Sequence, residues 1–155
     1  MKKAILFSFL VSVLTGCGVR APLTQYTDAR VTQSTAVAIA FDANFEISNT
    51  NDEPLKLKFY DYTVAANGKT VYNGRASAEQ TVPRWATVRG SVPVVIRREN
   101  LSGEEEVLWT LSGRLTYIPP TAIAETLLNT GIWEPSTHVQ ARDSLQIPQD
   151  PFPTN

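Results

Sequence analysis

Between residues 37 and 47 every second position is apolar, and from Asp42 on the positions between are polar. Val37, Ile39, Phe41, Ala43, Phe45 and Ile47 are apolar, with Asp42, Asn44 and Glu46 interleaved and Ser48 following. A backbone that sends every second side chain to one face is a strand, so this run specifies a half-buried strand whose odd positions face a core. Val107, Trp109, Leu111, Gly113, Leu115 and Tyr117, separated by residues such as Thr110, Ser112, Arg114 and Thr116, specify a second one. Strands this long need partners, and the rest of the chain supplies them. Residues 49–54 (NTNDEP) form a turn, because Asn and Asp bond locally to backbone and tolerate left-handed geometry. Leu55, Leu57 and Phe59 then point inward, with Lys56 and Lys58 outward. The apolar parity switches at Tyr60, Tyr62 and Val64, which predicts a β-bulge near 59–61. Asn67-Gly68 is a type I′ hairpin signal, so 70–72 should return antiparallel to the strand before it. Val88, Val92, Val94 and Ile96 share one parity, and Pro93 points away from them, as on an edge strand or at a bulge.

The second half of the chain closes the pattern. Residues 100–106 read as a solvated hairpin loop. Its consecutive glutamates, Glu104, Glu105 and Glu106, point in opposing directions and lack the alternating oxygen ligands of a calcium loop. Pro119 and Pro120 end the long strand, and 121–128 form a short helix with Ile123 and Leu127 four apart and a stop at 129–131. A last strand covers 137–147, with Val139, Leu145 and Ile147 inward. Six to eight strands with turn signals every 8 to 12 residues describe an all-β protein: an immunoglobulin- or fibronectin-III-like antiparallel β-sandwich, with one short helix near 120–129. A closed barrel is the structural alternative. Residues 17–33 are mostly polar and without sustained period, which predicts a tether that ends in a short edge strand. The domain then occupies 34–147, and the proline-rich residues 148–155 form a disordered tail.

The N-terminus addresses the chain. Lys2 and Lys3 precede an apolar run from Ala4 to Val13 that is too short to span a bilayer, for which ~20 residues are needed. Leu14-Thr15-Gly16-Cys17 follows and holds the only cysteine. This arrangement resembles the lipobox of bacterial lipoproteins. The resemblance implies a signal peptide at 1–16, cleavage before Cys17, and acylation of that cysteine on both sulfur and amine. The competing reading is an ordinary secretory signal that ends near a cysteine. One acyl chain gives only reversible attachment at ~0.8 kcal/mol per methylene, whereas several make it durable. Residue 18 is Gly and not the Asp of an inner-membrane retention signal, so the expected location is the cell envelope, on the outer membrane facing the periplasm. Loss of the signal leaves 12 basic against 15 acidic side chains. That balance excludes an electrostatic case for nucleic acid. With Cys17 acylated no disulfide is available, and stability rests on packing.

Within the domain, 45–51 (FEISNTN), 54–57 (PLKL), 61–64 (DYTV) and 67–69 (NGK) with Val71 occur in an order that resembles the late embryogenesis abundant type 2 (LEA2) domain, also called the water-stress and hypersensitive-response domain. Val92-Pro93-Val94 and Ser112-Gly113-Arg114-Leu115 are similar to its later strands. Thr50 stands where the family's turn often has Pro, and the helical stretch near Ile123 replaces a plain hairpin. The resemblance implies a sandwich and a binding or protective role in water or envelope stress.

No catalytic constellation is visible. His138 is the sole histidine, and Asp143, five residues on, falls on the opposite face of a strand. A zinc site needs several nitrogen or sulfur ligands, and there is neither a nucleophile elbow nor a glycine-rich phosphate loop. The expectation is therefore no enzyme, no metal and no cofactor, with His138 at the surface. Tyr62, Trp85 and Trp133 are the candidate surface or binding residues. The structural reading competes for each: Asp61 satisfies backbone donors, Tyr62 packs its ring with its hydroxyl at the rim, and Trp85 and Trp133 cover an open end. Expected partners are the membrane, through Cys17, and an envelope protein or lipid. The alternatives are a periplasmic module that binds or transfers a lipid or other hydrophobic ligand, and a hydrolase that uses His138.

Overall fold

The computed structural model describes residues 18–101, 103 and 105–147. The expected signal at 1–16, Cys17 and the tail at 148–155 lie outside them. Among the described residues eight strands form two antiparallel sheets. One holds β1 (Leu23–Ser34), β2 (Ala38–Ser48) and β6 (Thr87–Arg97) in the order β1-β2-β6. The other holds β4 (Lys69–Ser77), β3 (Leu55–Ala66), β7 (Glu106–Ile118) and β8 (Ser136–Gln146), with the two-residue β5 (Thr81–Val82) beside the start of β3. A short helix, α1 (Ala124–Asn129), lies between β7 and β8. The all-β expectation holds, and the sheets are open-edged layers rather than a closed barrel.

The alternations are realised as core. Ile39, Phe41, Ala43, Phe45 and Ile47 are buried from one sheet, and Val107, Trp109, Leu111 and Leu115 from the other. Burying each large side chain of this kind contributes roughly 1.5–3 kcal/mol, and a one-residue slip would turn all of them to water, so the register is unique. Val37 is the exception: it is exposed in the turn before β2, where the Thr35 hydroxyl accepts from its N–H at 3.3 Å. On β3 the bulge falls at Lys58, between Leu57 and Phe59 in the pairing with β7, and it moves burial from odd to even positions as expected. Asn67 and Gly68 take φ of 47° and 81°, the pair of positive values that a type I′ turn requires.

Three expectations are corrected. The tether predicted at 17–33 is mostly strand: β1 runs for 12 residues beside β2. Its register shifts twice, between Tyr26 and Asp28 and between Val31 and Gln33, so the inward positions pass from Thr24 and Tyr26 to Ala29 and Val31 and then to Ser34. Each bulge inverts the parity, which erases the period. The helix buries Ala124 and Leu128 against Ile118, not Ile123 and Leu127, and this leaves Ile123 exposed. It sits on the outer face of β7, which is why Thr116 and Ile118 are buried there beside inward Leu115 and Tyr117. Leu101, placed in a solvated loop by sequence, is buried against the core behind the 3-10 turn Arg98–Asn100.

The two long sides of the sandwich are sealed by hydroxyls. On one side β1 meets β8: Tyr26 donates to the Asp143 carboxylate at 2.7 Å and Thr24 to the His138 carbonyl at 2.6 Å. Burial, and then Asp143, push the Tyr26 phenol above its ordinary range, so it stays a donor. On the other side the Tyr62 hydroxyl crosses to the Pro93 carbonyl on β6.

Candidate functional site

One end of the sandwich gathers most of the residues that the sequence singles out. The register places the start of β1, the end of β2, the start of β3 and the end of β7 at this end. Its connections are therefore 18–22, 49–54, 78–86 and 119–135. Asn49, only 2% exposed, organises them. Its side-chain amide donates to the carbonyls of Glu53 at 2.8 Å and of Val82 and Pro83 at 3.2 Å each. Its carbonyl oxygen accepts from the Asn51 backbone at 2.9 Å and from the Asn51 amide at 2.8 Å. Asn51 in turn imitates a strand partner for Arg20, accepting from its N–H at 2.8 Å and donating to its carbonyl at 2.9 Å. The Asn-x-Asn turn is thus a clamp that joins three connections, and buried amides of this kind are stable only when fully paired.

Trp85 sits at the tip of the segment that this clamp holds. The Asn49 side chain grips the chain before it at Val82 and Pro83, and the Asn49 N–H donates to the Ala86 carbonyl after it at 2.9 Å. Trp85 has φ of +54° and is 65% exposed. For a bulky L-residue the left-handed region costs roughly 1–2 kcal/mol, and such strain persists only where the surroundings over-determine it. Trp85→Gly removes that strain, while the entropy of a glycine opposes by ~0.5–1 kcal/mol. The variant is therefore expected to have a urea midpoint equal to or above that of wild type. A clear drop would mean that the indole is structural cover after all. Trp85 borders an open hollow of about 520 Å³ that Gly18, Val19, Asn51 and Pro120 also line. Trp133, 42% exposed, and Ile132, 73% exposed, extend the same end beyond α1.

A second cluster lies on the outer face of the larger sheet. Arg75, Asp61, Arg114 and His138 face one another in a single row across β4, β3, β7 and β8. Arg75 forks onto Asp61 at 2.6 and 3.1 Å and lies over the Phe59 ring at 4.2 Å, with Arg114 on the far side of Asp61 at 3.9 Å. Asp61 therefore serves two guanidiniums at mid-sheet, not backbone donors at an edge. The row borders a shallow groove of about 450 Å³. His138 is exposed there, no carboxylate among the described residues is shown in hydrogen-bond reach of it, and Asp143 is engaged elsewhere by Tyr26, so the pair does not converge. No three His, Cys, Asp or Glu side chains among the described residues are placed to hold a metal ion.

Tyr62, a candidate surface residue by sequence, is 5% exposed and belongs to the core. Its cross-strand neighbours on both sides are glycines: the missing side chain of Gly74 makes room for the end of its ring, and that of Gly113 for its Cα and Cβ and the Asp61 carbonyl. Burial, and then Tyr72, 5.8 Å away between ring centres, raise its phenol above the usual range. The structure thus brings Trp85 and Trp133 to one end and sets Tyr62 apart from them. Arg20, Asn49, Asn51, Ile123 and Ile132 were missed as members of that end. Their signal was present only as turn chemistry, and the clamp joins residues 31 apart.

No protein-family model matches the chain, and no curated protein is similar to it at a significant level. Solved structures are. A protein of Arabidopsis thaliana, solved in solution, superposes with a TM-score of 0.66 at 15% identity, over 96% of this chain and 94% of that one. A chain described as a candidate late embryogenesis abundant (LEA) protein, also solved in solution, gives 0.64 at 14% identity, over 84% and 73%. A crystal structure of a protein from Archaeoglobus fulgidus gives 0.52 at 12%, over 84% and 98%. At these identities the likeness is one of fold, and the fold of this chain is LEA-like.

Proposed function

We propose that the protein is a non-enzymatic lipoprotein of the bacterial cell envelope, anchored through acyl groups on Cys17, whose LEA2-like domain binds or protects envelope components under water or envelope stress. The observation that carries the reading is the meeting of a complete lipobox, Leu14 to Cys17, with a LEA-like fold that begins almost at once after it. Val19 already packs against the main core. A module that carries a lipid between its sheets has less support, because the inner faces close on each other: Phe41, Phe45, Tyr60 and Trp109 are each at most 1% exposed.

The test combines chemistry and survival. Protein from membranes should have an intact mass that starts at Cys17 and includes acyl chains, and Cys17→Ala should lack that mass. A deletion strain should survive drying or osmotic stress less well, with rescue by the wild-type gene and not by Cys17→Ala. Equal survival of all the strains would remove the protective role, and an unacylated wild type would remove the anchor.

A further inference from the structure

We infer that the end of the sandwich around Trp85 is a membrane-docking face, on which Trp85, Trp133, Ile123 and Ile132 insert into the interfacial layer of the bilayer that holds the Cys17 acyl chains. The inference rests on the anchored reading above. Its first support is length. The chain is packed at Val19 and clamped at Arg20, so Cys17 lies two residues from fixed structure, a reach of about 7 Å. A domain of this size on so short a leash presents the end that carries Gly18 to the lipid. Gly18 and Trp85 line the same hollow, so Trp85 is at that end in space as well as in topology.

The second support is what that end displays. Of the eight exposed large apolar side chains among the described residues, five are there: Leu23, Trp85, Ile123, Ile132 and Trp133. Two are tryptophans, whose amphipathic rings favour the headgroup level of a bilayer. Trp85 is held outward against its own backbone preference, a cost that structural cover does not explain at 65% exposure. The third support is charge. Arg20, Lys56 and Arg84 are more than offset by Asp52, Glu53, Glu79, Glu125 and Glu134, and Lys56 is within 3.7 Å of Glu125. Attraction to anionic lipid is therefore not the driving term, and apolar insertion is. A weak insertion suffices, because the anchor makes it intramolecular.

The full-length protein, purified from membranes, is reconstituted into phosphatidylethanolamine–phosphatidylglycerol vesicles with or without brominated acyl chains, and its acylation is read by intact mass on the same sample. Bromine quenches tryptophans within the ~5–10 Å that interfacial groups penetrate. Trp109 is the internal control: it is fully buried and nine residues from the tethered end of β7, about 30 Å at the strand rise. Brominated lipid should remove a large share of wild-type emission, and Trp85→Phe with Trp133→Phe should abolish that loss. Added salt should leave it unchanged. Acylated protein with no quenching overturns docking and leaves the anchor standing. Quenching that salt abolishes also overturns it, because the contact would then be electrostatic. Unacylated protein that is still quenched supports docking and overturns the anchor, and unacylated, unquenched protein overturns both.

Discussion

Asn49→Asp is expected to lower the unfolding free energy by roughly 4 kcal/mol at neutral pH. The substitution changes no volume and inverts the donor side of a buried amide. The two amide hydrogens now serve the carbonyls of Glu53, Val82 and Pro83. A carboxylate offers them only lone pairs, in a site 2% exposed where its charge is costly to desolvate. The sign of the pH dependence follows. Burial and facing carbonyls raise the folded-state pKa of the new acid above its unfolded value of about 3.9. The deficit is therefore smallest in acid, where the carboxyl is protonated in both states, and it grows as pH rises through the raised value. It does not vanish in acid, because one O–H replaces two N–H donors. Urea melts from acid to neutral pH give the test. A deficit that is flat with pH, or under about 1 kcal/mol, would mean that Asn49 is solvated and that the clamp does not hold the Trp85 end.

Gly113→Ala is expected to cost about 3 kcal/mol, and Gly74→Ala less than half of that. Both glycines flank Tyr62, and the difference lies in what a new methyl would strike. At Gly113 the added carbon overlaps the Asp61 carbonyl oxygen and comes within 2.8 Å of the Tyr62 Cα, both backbone of the adjacent strand. Relief requires β3 and β7 to separate, with loss of ladder hydrogen bonds worth about 1 kcal/mol each. At Gly74 the obstacles are the ring ends of Tyr72 and Tyr62, and β4 is an edge strand that has room to yield. The check is the urea midpoint of each variant at unchanged m-value. Equal costs would show that the strand pair is less tightly held than its geometry indicates.

Legibility followed the length of uninterrupted period. Ile39 to Ile47 and Val107 to Leu115 announce their faces because no bulge shifts their inward positions, and even the Lys58 bulge left a trace, since the three strand residues before it and the eight after it kept their own parity. β1 is as long as β3 and was mostly read as tether, because two bulges within 12 residues leave no stretch longer than four positions in phase. The helix was found by its breakers, Pro120 and Gly131, but its buried face depends on how it lies across β7. Two apolar pairs four apart, Ile123 with Leu127 and Ala124 with Leu128, were both available, and only tertiary contact selects the second. Trp85 and Trp133 were recognisable from sequence as loop tryptophans. The clamp beneath Trp85 was not, because asparagines in a turn carry the same local signature whether they face water or bury three carbonyls. Tyr62 packs its ring, as its structural reading from sequence has it, but the reason it can do so is not local. The glycines that make its pocket are 12 and 51 residues away in the chain, and only strand pairing brings them to its sides.

The seam between β1 and β8 has a temporal consequence. Tyr26–Asp143 and Thr24–His138 join residues 117 and 114 apart, so the first strand of the domain is locked by the last. A nascent chain that has not yet delivered Ser136–Gln146 has neither this seam nor the last strand of the larger sheet. Contacts this distant in sequence slow folding, because loop closure is lost before they form. β1 pairs locally with β2, so what waits for β8 is the outer edge of β1, and that side of the sandwich is the last to close.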